Sequence, residues 1–229
     1  MSFTLDQVVP WGRSFDEYAK MFALAPLDLR RRILGCADGP AAFNAIVNRT
    51  GGGVVSIDPL YEFPVEKIRQ RIDEVFPAVL AETERNKDEF VWDRMKSIDD
   101  LAQVRRESMN EFLADYEQGA KEYRYVAGAL PSLPFMDQTF ELALCSHFLF
   151  LYSDQNNLAF HISSIKELRR VAEEVRIFPL LELGSKKSRH LDAVMTWCAR
   201  EKIPAEIVTV DYEFQKGGNQ MLRIGEFLP

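Results

Sequence analysis

The sequence predicts an α/β fold with a mostly parallel central sheet. Three observations carry that prediction. An apolar strand, Ile33-Leu34, runs into a small-residue turn at Gly35-Cys36-Ala37-Asp38-Gly39-Pro40, with a helical pattern behind it. A second apolar strand through Val54, Val55 and Ile57 follows, and it ends on an acid, Asp58. Apolar runs then alternate with helical patterns until two alternating segments flank Gly217-Gly218-Asn219, which is a hairpin signal. With 229 residues, 47% of them hydrophobic, one domain over residues 1–229 has enough apolar surface for a core.

Each element has its own signal. Ser14-Phe15-Asp16-Glu17 reads as a capping box opening a helix that Pro26 ends, with Phe15, Tyr18, Ala19 and Phe22 on one face. Pro40 suits the first turn of the next helix, and Gly51-Gly52-Gly53 closes it before the second strand. A crossover between parallel strands needs only a dozen or more residues. The stretch from about 64 to 122 is several times longer and reads as a helical insertion after the second strand. One helix begins near Pro64, with Val65, Ile68, Ile72, Val75 and Val79 on one face. Another begins near Ser97, and residues 86–93 join the two. Leaving directly after Asp58, the insertion is expected to cover the carboxyl end of the sheet. Residues 123–127 and 141–146 read as strands, 156–172 as a helix, 175–180 as a strand and 188–201 as a helix. Residues 205–214 and 220–227 form the hairpin.

Composition narrows the function. The net charge of −7 lacks the electrostatic footprint of a nucleic-acid binder. No stretch is long and apolar enough to span a membrane. The N-terminus, with Asp6 and no apolar run, does not read as a secretion signal. Cys36, Cys145 and Cys198 have no metal-ligand spacing, so no metal is expected, and a reduced cytoplasmic protein is the simplest account.

The turn after the first strand and Asp58 suit a nucleoside-containing cofactor. Gly35 and Gly39 allow close backbone approach, and Asp58, about 20 residues on, can accept ribose hydroxyls. The plainer readings are an ordinary strand-to-helix turn and an acid that caps the turn after its strand. Gly35-x-x-x-Gly39 lacks the third glycine of a dinucleotide site. It resembles motif I of the class I S-adenosylmethionine-dependent methyltransferases, with Ala37 at the middle glycine and Ile33 where the family places an acid. The segment Gly128-Ala129-Leu130-Pro131-Ser132-Leu133-Pro134-Phe135-Met136-Asp137 resembles a later motif of the same family, with Ala129 replacing its acid. The Gly35–Ala41 turn is also similar to that of a bacterial group of methyltransferase-like proteins.

The resemblance implies a Rossmann-like class I methyltransferase fold, a parallel sheet closed by an antiparallel C-terminal hairpin, and S-adenosylmethionine as cofactor. It implies ribose contact at Asp58, apolar contact with adenine at Pro59 and Leu60, and adenine contacts at Ala129 and the Leu130 amide. Leu130 can equally be a loop residue packing inward. Asp38 either caps the helix or faces the amino-acid end of the cofactor. Arg13 and Tyr18 can reach the methionine carboxylate, or be a surface arginine and a core aromatic. Ser146 and His147 end the fourth strand, where ligands of open α/β sheets bind. His147 is the candidate general base, against a histidine satisfied by a backbone carbonyl. Tyr152 and Asp154 can line the same opening. The expected reaction is methyl transfer to a small-molecule acceptor. The alternative, suggested by Ile33, Ala37 and Ala129, is a non-catalytic binding or interaction module on the same fold. The motifs specify neither the acceptor nor an oligomeric state.

Overall fold

The computed structural model describes residues 9–225. Its helices are α1 Phe15–Met21, α2 Phe43–Arg49, α3 Val65–Arg85, α4 Ile98–Lys121, α5 Leu158–Val171 and α6 Leu191–Arg200. The strands are β1 Arg32–Cys36, β2 Gly53–Ile57, β3 Tyr125–Val126, β4 Phe140–Ser146, β5 Ala172–Phe178, β6 Leu181–Glu182, β7 Lys186–Lys187, β8 Ala205–Thr209 and β9 Gln220–Gly225. Seven of them form one sheet in the order β3-β2-β1-β4-β5-β9-β8. The first five run parallel, and β9 returns antiparallel between β5 and β8. This is the Rossmann-like sheet that the class I methyltransferase resemblance implied.

The parallel strands are covered on both faces, so they read as continuous apolar runs rather than alternating ones. Alternation still decides which face each residue serves. Leu34, Ala143, Cys145, Val175 and Ile177 pack with Ile165 and Leu168 of α5 and Trp197 of α6. Ile33, Val54, Leu142 and Leu144 face the other way, onto Tyr18, Phe22, Phe43 and Val47 of α1, its end and α2. A third cluster joins α3 to α4 through Ile68, Ile72, Phe76, Met109 and Phe112.

Several boundaries differ from expectation. The Ser14 capping box is present, but α1 stops at Met21, because Ala23 turns left-handed at φ 46° well before Pro26. Pro40 precedes α2 rather than entering it; Ala42 is the N-cap. β8 ends at Thr209, and after one further bond, from the Val210 amide to Asn219 O, the chain leaves the ladder. The short ribbon β6–β7 carries no clear sequence signal. Both insertion helices begin where expected, with Pro64 and Ser97 as their N-caps. Asp6 and the last residues of the predicted final strand, Glu226 and Phe227, lie outside the described residues. No helix among the described residues is long and apolar enough to cross a membrane.

Candidate functional site

A cavity of about 740 Å³ lies across the carboxyl ends of the parallel strands. Cys36 ends β1, Ile57 ends β2, Ser146 ends β4 and Phe178 ends β5, and all four line it. α3 supplies one wall through Ile68, Val79 and Thr83.

The turn after β1 is built around Asp38. Ala37 and Gly39 both adopt left-handed backbone, at φ 56° and 52°. That winding lays the Asp38 carboxylate back over β1. Its Oδ1 accepts from the Tyr18 hydroxyl at 2.7 Å and its Oδ2 from Ser56 Oγ at 2.6 Å. A Cβ at Gly35 would sit 1.8 Å from Asp38 Oδ2. Gly35 is therefore glycine because Asp38 needs the space. Gly39, not Gly35, is among the cavity-lining residues. Asp38 does not cap α2, whose N-cap carries no side-chain bond. It lines the cavity, and burial pushes its carboxyl up to about 6, with the Asp58 charge acting in the same direction.

Asp58 follows β2. Its Oδ2 accepts from the Gly39 amide at 2.9 Å and its Oδ1 from the Leu60 amide at 2.8 Å. Asp58 therefore caps the turn at Pro59–Glu62 and also faces the cavity. The two readings are compatible, because a carboxylate offers about four acceptor positions and two are used. Burial raises its pKa, opposed by the two amide bonds. Tyr61 locks the same turn, its hydroxyl donating to Gly39 O at 2.7 Å. Pro59, Leu60, Gly39, Ala129 and Leu130 all line the cavity. The Leu130 side chain packs inward among Ile57 and Leu133.

Beyond β4, His147 turns the chain at φ 49°. Its amide donates to Phe178 O at 2.7 Å, and its Nδ1 lies 2.9 Å from Ser146 Oγ. Both residues line the cavity, as does Tyr152; Asp154 instead pairs with Arg189. Burial, and then the Arg13 charge, hold the His147 imidazole well below its usual pKa. Both effects favour the neutral ring.

The segment before α1 threads between the Asp38 turn and α4. Gly12 permits this, since a Cβ there would meet Pro40 O at 2.1 Å. Trp11 and Arg13 consequently line the cavity. Arg13 donates to Trp11 O, while its Nε is buried without a partner. Burial and the neighbouring Arg105 charge lower its pKa to about 10. Tyr18 is a core aromatic stacked on Phe43, and its hydroxyl is committed to Asp38.

Sequence reasoning missed Ser56 and Tyr61, which fix Asp38 and Gly39. Ser56, two residues before Asp58 on β2, is a polar residue in a buried strand, and that was the available signal. It also missed a buried network that reaches the cavity wall at Tyr212. Arg105 of α4 binds Glu17 of α1 at 2.5 and 2.7 Å, and the Tyr212 hydroxyl donates to the same carboxylate at 2.7 Å.

Fold and site together define an α/β protein on the class I methyltransferase sheet, with its cavity at the carboxyl ends of the parallel strands. An uncharacterized protein of Methanocaldococcus jannaschii is 35% identical over 221 residues, spanning 96% of this chain and 97% of the relative. The chain belongs to the same family as that protein. The relative is archaeal, not from the bacterial group that the Gly35–Ala41 turn resembles. No protein-family model matches the chain. Among solved structures, a magnesium protoporphyrin IX methyltransferase from Synechocystis with bound SAM is similar at TM-score 0.44 and 8% identity, over 86% of this chain and 70% of that one. A SAM-dependent methyltransferase from Aquifex aeolicus is similar at TM-score 0.40 and 11% identity, over 84% and 79%. Scores at this level carry no argument about the site, which is read from its own geometry.

Proposed function

We propose that this protein binds S-adenosylmethionine and transfers its methyl group to a small-molecule acceptor. The observation that carries the reading is Asp58. It is a carboxylate at the end of β2, anchored by two backbone amides, with acceptor positions left toward the cavity. The rest of the wall fits the same ligand. Pro59, Leu60 and Ala129 offer an adenine apolar contact, beside the Leu130 backbone. The unpartnered Arg13 Nε and its cationic head suit a carboxylate. Asp38, carrying negative charge above about pH 6, favours a cationic neighbour. The cavity volume lies in the range of small-molecule sites, roughly 300–1,000 Å³.

S-adenosylmethionine, when bound, supplies an electrophilic methyl group whose carbon–sulfur electron pair returns to sulfur on transfer. The chain's own task is to position the acceptor and exclude water. His147 is the candidate to take the acceptor's proton. Its Nδ1 is turned to Ser146; in the tautomer in which Nδ1–H donates to Ser146 Oγ, Nε2 is left bare to accept from a ligand.

Thermal denaturation with S-adenosylmethionine, S-adenosylhomocysteine and NAD tests the reading. A ligand that binds only the native state raises the midpoint by mass action. The first two are expected to raise it, and NAD to leave it unchanged. A shift with NAD alone would refute the proposal. Binding without any methyl transfer across a broad acceptor panel would favour the non-catalytic alternative.

A further inference from the structure

The cavity is longer than the part assigned to the nucleoside. From the end of β2 to the end of β5 there are three strand steps, about 14 Å at the usual strand spacing. The wall from α3 is longer still. Ile68 and Thr83 both line the cavity, and the fifteen helical steps from one to the other span about 22 Å. The charged lining residues of α3, Lys67, Arg71 and Glu74, sit in its first half, nearer the turn at Leu60.

The far lobe has a different chemistry. Val79, Phe90, Phe178, Leu183 and Phe214 line it. Its polar side chains each donate to a partner within the protein. Thr83 Oγ1 donates to Val79 O, Gln215 Nε2 to Glu182 O, and the Tyr212 hydroxyl to Glu17. Its roof is closed by chain. The Val91 amide donates to Phe214 O at 2.7 Å, the Lys216 amide to Glu89 O at 2.9 Å, and the Phe90 and Phe214 rings stack at 4.8 Å. A polar ligand entering here would lose its water for few hydrogen bonds in return.

We infer that this lobe binds an apolar, ring-bearing small molecule carrying a single O–H or N–H, which it presents to His147. Naming that molecule as the methyl acceptor rests on the function proposed above; the preference for apolar rings does not. The insertion then sets substrate class, because Val79 and Phe90 come from it and Phe214 from the loop that it clasps.

The test uses 2-naphthol as probe and glucose as a polar ring of similar size, each titrated by equilibrium dialysis with saturating S-adenosylhomocysteine. 2-Naphthol is expected to bind at least about tenfold tighter than glucose, as a mostly apolar lining requires. Val79→Trp fills the lobe and is expected to weaken 2-naphthol by about tenfold or more. Its S-adenosylhomocysteine midpoint shift stays at the wild-type value, which shows that the variant is folded. Phe214→Ala, which removes a wall instead, is expected to weaken 2-naphthol as well. Tighter binding of glucose, or wild-type 2-naphthol affinity in both variants, would overturn the inference. Retained 2-naphthol binding in a protein that S-adenosylhomocysteine does not stabilise would support the lobe and refute the cofactor reading.

Discussion

Asp38→Asn makes the buried turn after β1 testable through pH. The Asp38 carboxyl is pushed up to about 6 from its ordinary 3.8, chiefly by burial. The native state therefore holds its proton to higher pH than the unfolded chain does. The stability this contributes is fully present below about pH 3.8 and is lost as pH rises through about 6. At 1.36 kcal/mol per pKa unit the whole effect is about 3 kcal/mol, of which about 2 falls between pH 4.5 and 7.5. Asparagine keeps the shape and stays neutral. Its Oδ1 can accept from Tyr18 and its Nδ2 can donate to Ser56 Oγ, replacing the two bonds that Asp38 makes. Urea denaturation of ligand-free wild type and variant at steps from pH 4.5 to 7.5 should show the difference moving toward the variant by about 2 kcal/mol. Titrations common to both proteins cancel in that difference. A difference independent of pH, or one moving toward wild type, would refute the account of this turn.

Other substitutions probe the remaining parts. Gly35→Ala forces Asp38 off β1, so it should cost about 3 kcal/mol in urea; the cost should shrink in an Asp38→Ala background, and strict additivity would count against the steric argument. Arg105→Met leaves Glu17 buried without its partner and should cost about 3–5 kcal/mol. Adding Glu17→Gln should recover much of that loss, as seen in denaturation midpoints. His147→Ala should lower turnover by about 10²–10⁴-fold with S-adenosylhomocysteine affinity unchanged, once an acceptor is in hand. A melting point that falls in step with activity would instead mark His147 as structural.

The parts of this molecule that are local in sequence were legible, and the parts made by distant contact were not. The Ser14 box and Ser97 each state where a helix begins, because a cap is satisfied within three residues, and Pro64 marks the start of α3 through its fixed φ. Asp58 could be placed at the end of β2 because an apolar strand and an acid are adjacent in the chain. Gly35 has a structural role that the sequence does not state. The sequence shows that a side chain is missing but not what occupies the space, which is Asp38. The ends of α1 and β8 depend on a left-handed Ala23 and on a loop that pairs with Glu89, and neither leaves a mark in composition. The Glu17–Arg105–Tyr212 network joins residues 88 and 195 positions apart, so no window along the chain contains it. The Phe90–Phe214 roof of the cavity is hidden in the same way.

Calorimetric titration of S-adenosylhomocysteine into wild type and Asp58→Ala tests the central claim most directly. Two charge-assisted hydrogen bonds to ribose are at stake, at about 1.5–3 kcal/mol each. The variant should therefore bind about 10²–10⁴-fold more weakly than wild type, while its circular dichroism spectrum remains that of a folded protein. Equal affinity in the two proteins, or no binding to wild type, would contradict the assignment of this cavity to a nucleoside cofactor.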